Sequence, residues 1–132
     1  MIVRTGLLLT VFLTTASAQE PAKPDAKIVP AAEAKSHIDE TATVEMIVKL
    51  SKNGEKQMTY YLDSEADYSD ENNVAVLISY KHADAFKAAG IDDPSVFYRG
   101  KTIRVTGKII NQSKQTRILV ESPKAIVVVE KK

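Results

Sequence analysis

Three tyrosines and three cations are the side chains best suited to hold a ligand: Tyr61, Tyr68 and Tyr80, with Lys81, Arg104 and Arg117. Aromatic faces give bases a surface to stack on, and cations around them hold a phosphate backbone. A plainer reading competes with this one. With 5 Tyr, 3 Phe and no Trp in 132 residues, the aromatics are also needed for the core. Single outward cations are in turn what a solvated strand face presents.

Metal and acid–base chemistry have less material. His37 and His82 are the only histidines and have no ligand spacing. Asp63, Glu65, Asp67, Asp70 and Glu71 crowd hard oxygen atoms into one short stretch, a composition that calcium accepts. Numbered from Asp63, however, Tyr68 stands where a calcium loop needs glycine and Val74 where it needs glutamate. The stretch therefore reads as a solvated acidic loop, which would also repel phosphate.

The chain has no cysteine, so thiolate metal sites, disulfides and a cysteine nucleophile are excluded. It contains no nucleophile elbow, phosphate loop, dinucleotide fingerprint or paired-histidine zinc motif. No spacing argument assembles Asp63, Glu65, Arg104 and Arg117 into a phosphodiester-cleaving set. The expectation is a protein without enzymatic activity and without a cofactor.

The N-terminus carries an address. Arg4 precedes the apolar run GLLLTVFL and the small-residue site Ala16-Ser17-Ala18, the pattern of a secretory signal peptide over 1–18. The run is too short to cross a hydrocarbon core, which takes about 20 residues. An exported protein is expected, periplasmic or secreted, with no membrane span. Of 18 Lys and Arg, Arg4 leaves with the leader, so 17 cations face 17 acids. That balance argues against strong nonspecific phosphate binding, which needs many cationic contacts.

These side chains must be placed by a small number of elements. Residues 19–29, QEPAKPDAKIV, have no apolar period and read as a disordered tether; 30–132 is left for one domain. Pro30 followed by AAEAKSHID predicts a short helix. Thr41 to Ser51 alternates, with Ala42, Val44, Met46, Val48 and Leu50 facing inward, and predicts one half-buried strand. Asn53-Gly54 predicts a tight hairpin turn into a second strand over Gln57 to Leu62, with Met58, Tyr60 and Leu62 in phase.

Val74 to Ser79 is apolar on both faces and predicts an interior strand. Lys81 to Ala89 predicts a helix stopped by Gly90, with Asp92-Asp93-Pro94 breaking any continuation. Gly100 to Ile110 alternates again, with Gly107 marking a bulge or a sharp corner. Asn111 to Lys114 turns into a strand over Gln115 to Glu121, and AIVVVE closes the chain as an extended segment. Asn111-Gln112-Ser113 matches a glycosylation acceptor but reads as turn chemistry.

A helix between the third and fourth of five antiparallel strands is the order of the Greek-key OB barrel. The mainly β fold expected is thus a five-stranded OB barrel with a short N-terminal helix. Through AAEAKSHIDETATVEMIV, GKTIRVTGKI and ESPKAIVVVE, residues 31–130 resemble the OB-fold proteins exported by bacteria. That resemblance implies small periplasmic stress-associated proteins and secreted relatives of nucleic-acid-binding barrels, and it transfers no site residues. The implied partner is a nucleic acid, an oligosaccharide or another oligomeric anion. The alternative is a protein partner paired at a sheet edge or along the apolar tail.

Overall fold

The computed structural model describes residues 27–130, so the expected signal peptide over 1–18 and residues 19–26 of the expected tether lie outside the described residues. Eight strands form one mixed sheet: β1 Ile28–Pro30, β2 Thr41–Ile47, β3 Leu50–Gly54, β4 Thr59–Asp63, β5 Val74–Ser79, β6 Thr102–Gln112, β7 Gln115–Val120 and β8 Ile126–Val128. The main path runs β1-β2-β6-β7-β5-β4-β3, with β8 also paired to β6. All neighbours are antiparallel except β1 with β2 and β5 with β7. This is an OB-like arrangement, with more strands than the five expected.

Three extra strands account for the difference. The single strand expected over 41–51 is two, because the chain changes partner at Val48 and Lys49. The Val48 amide donates to the Lys101 carbonyl at 2.9 Å, while the Lys49 amide donates to the Asp63 carbonyl at 3.0 Å. Residues before the bend thus belong with β6, and those after it with β4. The bend also shifts the alternation by one residue. Leu50, expected inside, is only half-buried, and Ser51 is buried in its place. Ser51 tolerates this because its hydroxyl donates to the Ser95 carbonyl at 2.6 Å and accepts from Arg99 Nε at 2.8 Å.

The other two additions are the short end strands. Ile28–Pro30 pairs in parallel with β2, and Val29 is 1% exposed, so the end of the expected tether belongs to the domain. Ile126–Val128 pairs with Ile103 to Val105 of β6, the part of β6 not paired with β7. The apolar tail is hydrogen-bonded within its own sheet, which removes one exposed edge.

The predicted N-terminal helix is a 3-10 helix over Ala31–Ser36. After β5, a 3-10 turn over Tyr80–His82 leads into α1, Ala83–Ala88, and Gly90 follows with φ of 87°, a left-handed value suited to glycine. Asp93 does not simply end the helical region. It caps α2, Pro94–Phe97, accepting from the Ser95 amide at 2.9 Å with proline at the first turn.

The predicted Asn-Gly turn is likewise displaced. Asn53 and Gly54 are the last residues of β3, paired with Tyr60 and Thr59, and the chain reverses over residues 55–58 with Met58 at φ of 54°. Between β6 and β7 the reversal takes two residues, Ser113 and Lys114, both at positive φ.

The core lies between the two walls of the sheet. Register places Leu62, Val76, Ile118 and Ile109 in one row across β4, β5, β7 and β6, and none is exposed. Val44 and Val105, paired across β2 and β6, are equally buried. Phe86 from α1 joins this cluster with no exposure. Tyr98 packs edge-on against Phe97 at 4.9 Å, and burial pushes its phenol up to about 12.

Gly107 sits at a corner, as its place in the sequence suggested. Lys108 is the last residue of β6 paired with β2, and Ile109 the first paired with β7. A Cβ at Gly107 would lie 3.0 Å from the Ile118 side chain. Gly107→Ala is expected to cost about 1–3 kcal/mol in urea unfolding; unchanged stability would show that the corner has room to spare.

Candidate functional site

One sheet face is open where four strands lie side by side. Register aligns Lys52, Tyr61, Leu77 and Leu119 in one row across β3, β4, β5 and β7. A second row aligns Leu50, Asp63, Ala75 and Arg117. Side chains alternate along strands, so these rows share the face opposite the core row of Leu62, Val76 and Ile118. The acidic loop carries Tyr68 to its side, and the whole encloses a groove of about 400 Å³ that also includes Gln57 and Gln115.

The groove combines stacking surface with one carboxylate and two cations. Tyr61 is half-buried in the floor, while Tyr68 is 61% exposed at the wall. Leu50, Ala75 and Leu77 provide the apolar floor around them. Arg117 is fixed from its own hairpin: Nη1 donates to the Gln112 amide oxygen at 2.8 Å, and Nη2 to that of Gln115 at 3.4 Å. Lys52 is exposed at the far end of the Tyr61 row.

Asp63 is the unusual member. It is 5% exposed in the groove floor, and burial raises its pKa above the ordinary 3.8, against a hydrogen bond from Asn73 and the positive charge of Arg117. Folding therefore favours the protonated form. The carboxyl group contributes its best stability below about pH 4, and that contribution is lost as pH rises through its folded value. Asp63→Asn is expected to raise the melting temperature at neutral pH and to leave it unchanged near pH 3. A loss of stability at neutral pH would mean that the Arg117 charge outweighs burial.

The six side chains singled out in the sequence do not form one site. Tyr61, Tyr68 and Arg117 meet at the groove. Tyr80 instead stacks on Tyr60 at 4.8 Å between centroids and hydrogen-bonds the Asn53 side chain, and Lys81 follows it on an exposed turn. Arg104 lies on the other wall, where Nε donates to Glu45 at 2.8 Å. It pairs with Glu45 of β2 and Val127 of β8, on the part of β6 that does not pair with β7, and it does not line the groove.

Lys52, Leu77 and Gln115 were missed by the sequence reading. Their shared face depends on the phase shift at Val48 and Lys49 and on the β5–β7 pairing, and neither is local. Asp63 stands in the sequence as part of an acidic run, with no sign that it is buried in a groove floor.

That run is occupied with its own backbone. Asp67 accepts from the Ser69 amide at 2.9 Å and hydroxyl at 2.6 Å, and these bonds lower its pKa. Asp70 accepts from the Asn72 amide at 2.8 Å. Among the described residues no three His, Asp or Glu side chains gather as a metal-binding group. Among the described residues, too, no helix is long and apolar enough to cross a membrane.

No protein-family model and no curated protein matches the sequence. Solved structures do. An OBody, solved bound to hen egg-white lysozyme, is similar with a TM-score of 0.54 and 16% identity, covering 83% of this chain and 99% of its own. Aspartyl tRNA synthetase from Entamoeba histolytica is similar with a TM-score of 0.50 and 15% identity, covering 88% of this chain. The match spans only 24% of the synthetase. At these identities the likeness is one of fold, and the fold is OB-like.

Proposed function

We propose that the protein is an exported, non-enzymatic OB-fold binding module that holds a single-stranded oligonucleotide, or another oligomeric anion, in the groove across β3, β4, β5 and β7. One observation carries the reading: Tyr61 lines the floor of a groove that also holds Lys52, its cross-strand partner on β3, and Arg117, two strands away on β7. A stacking platform with flanking cations is the arrangement by which such grooves hold single strands. The OB-like fold of the neighbours supports it by analogy. Export rests on the leader pattern of residues 1–18.

The number of cations sets the strength of the electrostatics. Two phosphate contacts on a single strand give a slope of log K against log salt of about −1.4. Stacking must then provide most of the affinity. Fluorescence anisotropy of a labelled single-stranded oligonucleotide, titrated with the protein at several salt concentrations, tests this. Binding with a slope near that value supports the proposal. No binding at low salt overturns it, and a slope of about −4 would place the phosphates on some other, more basic surface.

A further inference from the structure

The groove's acceptor and the aromatic at its wall are tied to the same side chain. Asn73 is 3% exposed at the end of the acidic loop. Its Nδ2 donates to Asp63 Oδ1 at 2.8 Å and to the Tyr68 carbonyl at 3.4 Å. Its Oδ1 accepts from the Glu65 amide at 2.9 Å and from the Ser64 hydroxyl at 3.5 Å. Ser64 closes the base of the loop in turn, accepting from the Val74 amide at 2.9 Å. One amide thus joins the start of the loop, its middle and the groove floor.

The geometry points to Asn73 as the positioning residue of the groove, setting both the carboxylate of Asp63 and the aromatic wall at Tyr68. This rests on the groove being the ligand site, but the device itself can be seen without ligand. Nδ2 engages one oxygen of Asp63, and among the described residues the other carries no side-chain hydrogen bond. That oxygen belongs to a groove-lining side chain, so it can accept from a hydroxyl, amide or amino group of the ligand. The same Nδ2 anchors the backbone carrying Tyr68, whose ring is otherwise 61% exposed. Placing acceptor and ring in advance reduces the ordering cost of binding.

The chain has no tryptophan, so Tyr68→Trp gives a single indole reporter at the wall. In that background Asn73→Asp keeps the acceptor for Ser64 and Glu65 and loses the donor to Asp63 and to the residue 68 carbonyl. The expected result is a fall in the fluorescence anisotropy of the introduced indole without ligand, and about tenfold weaker oligonucleotide binding.

The exchange Asp63→Asn with Asn73→Asp guards against simple misfolding. It restores the bond between the two positions with reversed polarity, while leaving the residue 68 carbonyl without its donor. A recovered melting temperature with the indole still mobile supports a positioning role. An indole as restricted in both variants as in the Tyr68→Trp parent overturns it. If the indole responds as expected but no oligonucleotide binds the parent, the positioning stands and the proposed ligand class falls.

Discussion

Replacing Tyr61 by alanine is expected to weaken single-stranded oligonucleotide binding by about five- to 150-fold, with little change in stability. The ring is half-buried in the floor of the groove, flanked by Lys52 and Leu77 at the paired positions on either side. Base–aromatic stacking is worth about 1–3 kcal/mol per base, and each 1.4 kcal/mol is tenfold in affinity. With only two cations in the groove, no electrostatic reserve compensates for its loss.

Tyr80→Ala is the matched control. Its ring packs on Tyr60 and its hydroxyl on Asn53, so its loss should lower stability and leave affinity unchanged. If Tyr80→Ala weakened binding as much as Tyr61→Ala, the groove would not be the site.

The largest effect on stability is expected at Phe86. It is the fully buried residue of α1, which has only six residues and is marginal as a helix on its own. The Phe86 carbonyl accepts from the Ile91 amide at 2.8 Å and from the Ala89 amide at 3.0 Å, so the turn after the helix is built around it. Phe86→Ala removes a fully buried ring from the hydrophobic core cluster, leaving a cavity under α1.

Such a change costs about 3–5 kcal/mol, and in a domain of this size each kcal/mol lowers the melting temperature by about 4–8 °C. A fall of at least about 12 °C is expected by calorimetry. Val96→Ala on α2, where the side chain is 63% exposed, should change stability by no more than about 0.5 kcal/mol. A small effect at Phe86 would mean that α1 is not part of the cooperative core.

Local pattern predicted the elements well where a strand keeps one partner. Val74 to Ser79 reads as an interior strand because both its faces are apolar, and it lies between β4 and β7. The alternation of Ile103, Val105 and Ile109 survives intact because Gly107 absorbs the corner inside one strand. The 41–51 segment failed differently. Its apolar period runs on through Leu50, but a change of hydrogen-bonding partner at Val48 and Lys49 outweighs the period and turns Ser51 inward.

Turn chemistry misled in the same way. Asn53-Gly54 has the strongest local turn signal, yet the pairing of Asn53 with Tyr60 and Gly54 with Thr59 moves the reversal beyond it. The real two-residue turn, Ser113-Lys114, contains neither Asn nor Gly at its centre.

The site was legible by residue type and not by grouping. Tyr61, Tyr68 and Arg117 are separated by up to 56 positions and meet only because β5 pairs in parallel with β7. Arg104 looked equivalent to Arg117, an outward cation on a neighbouring strand. Glu45, which neutralises it, lies 59 positions away in sequence. Alternation correctly put Tyr60 in phase with Leu62 and so left Tyr61 on the opposite face. The polar rows that make that face a groove needed the register of four strands.

Whether ligand lies across β3, β4, β5 and β7 is read most simply from backbone amide shifts in NMR spectra, on addition of an unlabelled single-stranded oligonucleotide. The predicted shifts cluster at Leu50 to Lys52, Tyr61 to Asp63, Ala75 to Leu77 and Gln115 to Arg117, with Tyr68 moving among them. Shifts centred instead on Glu45, Arg104 and Val127, with the groove silent, would refute that placement and move the site to the opposite wall.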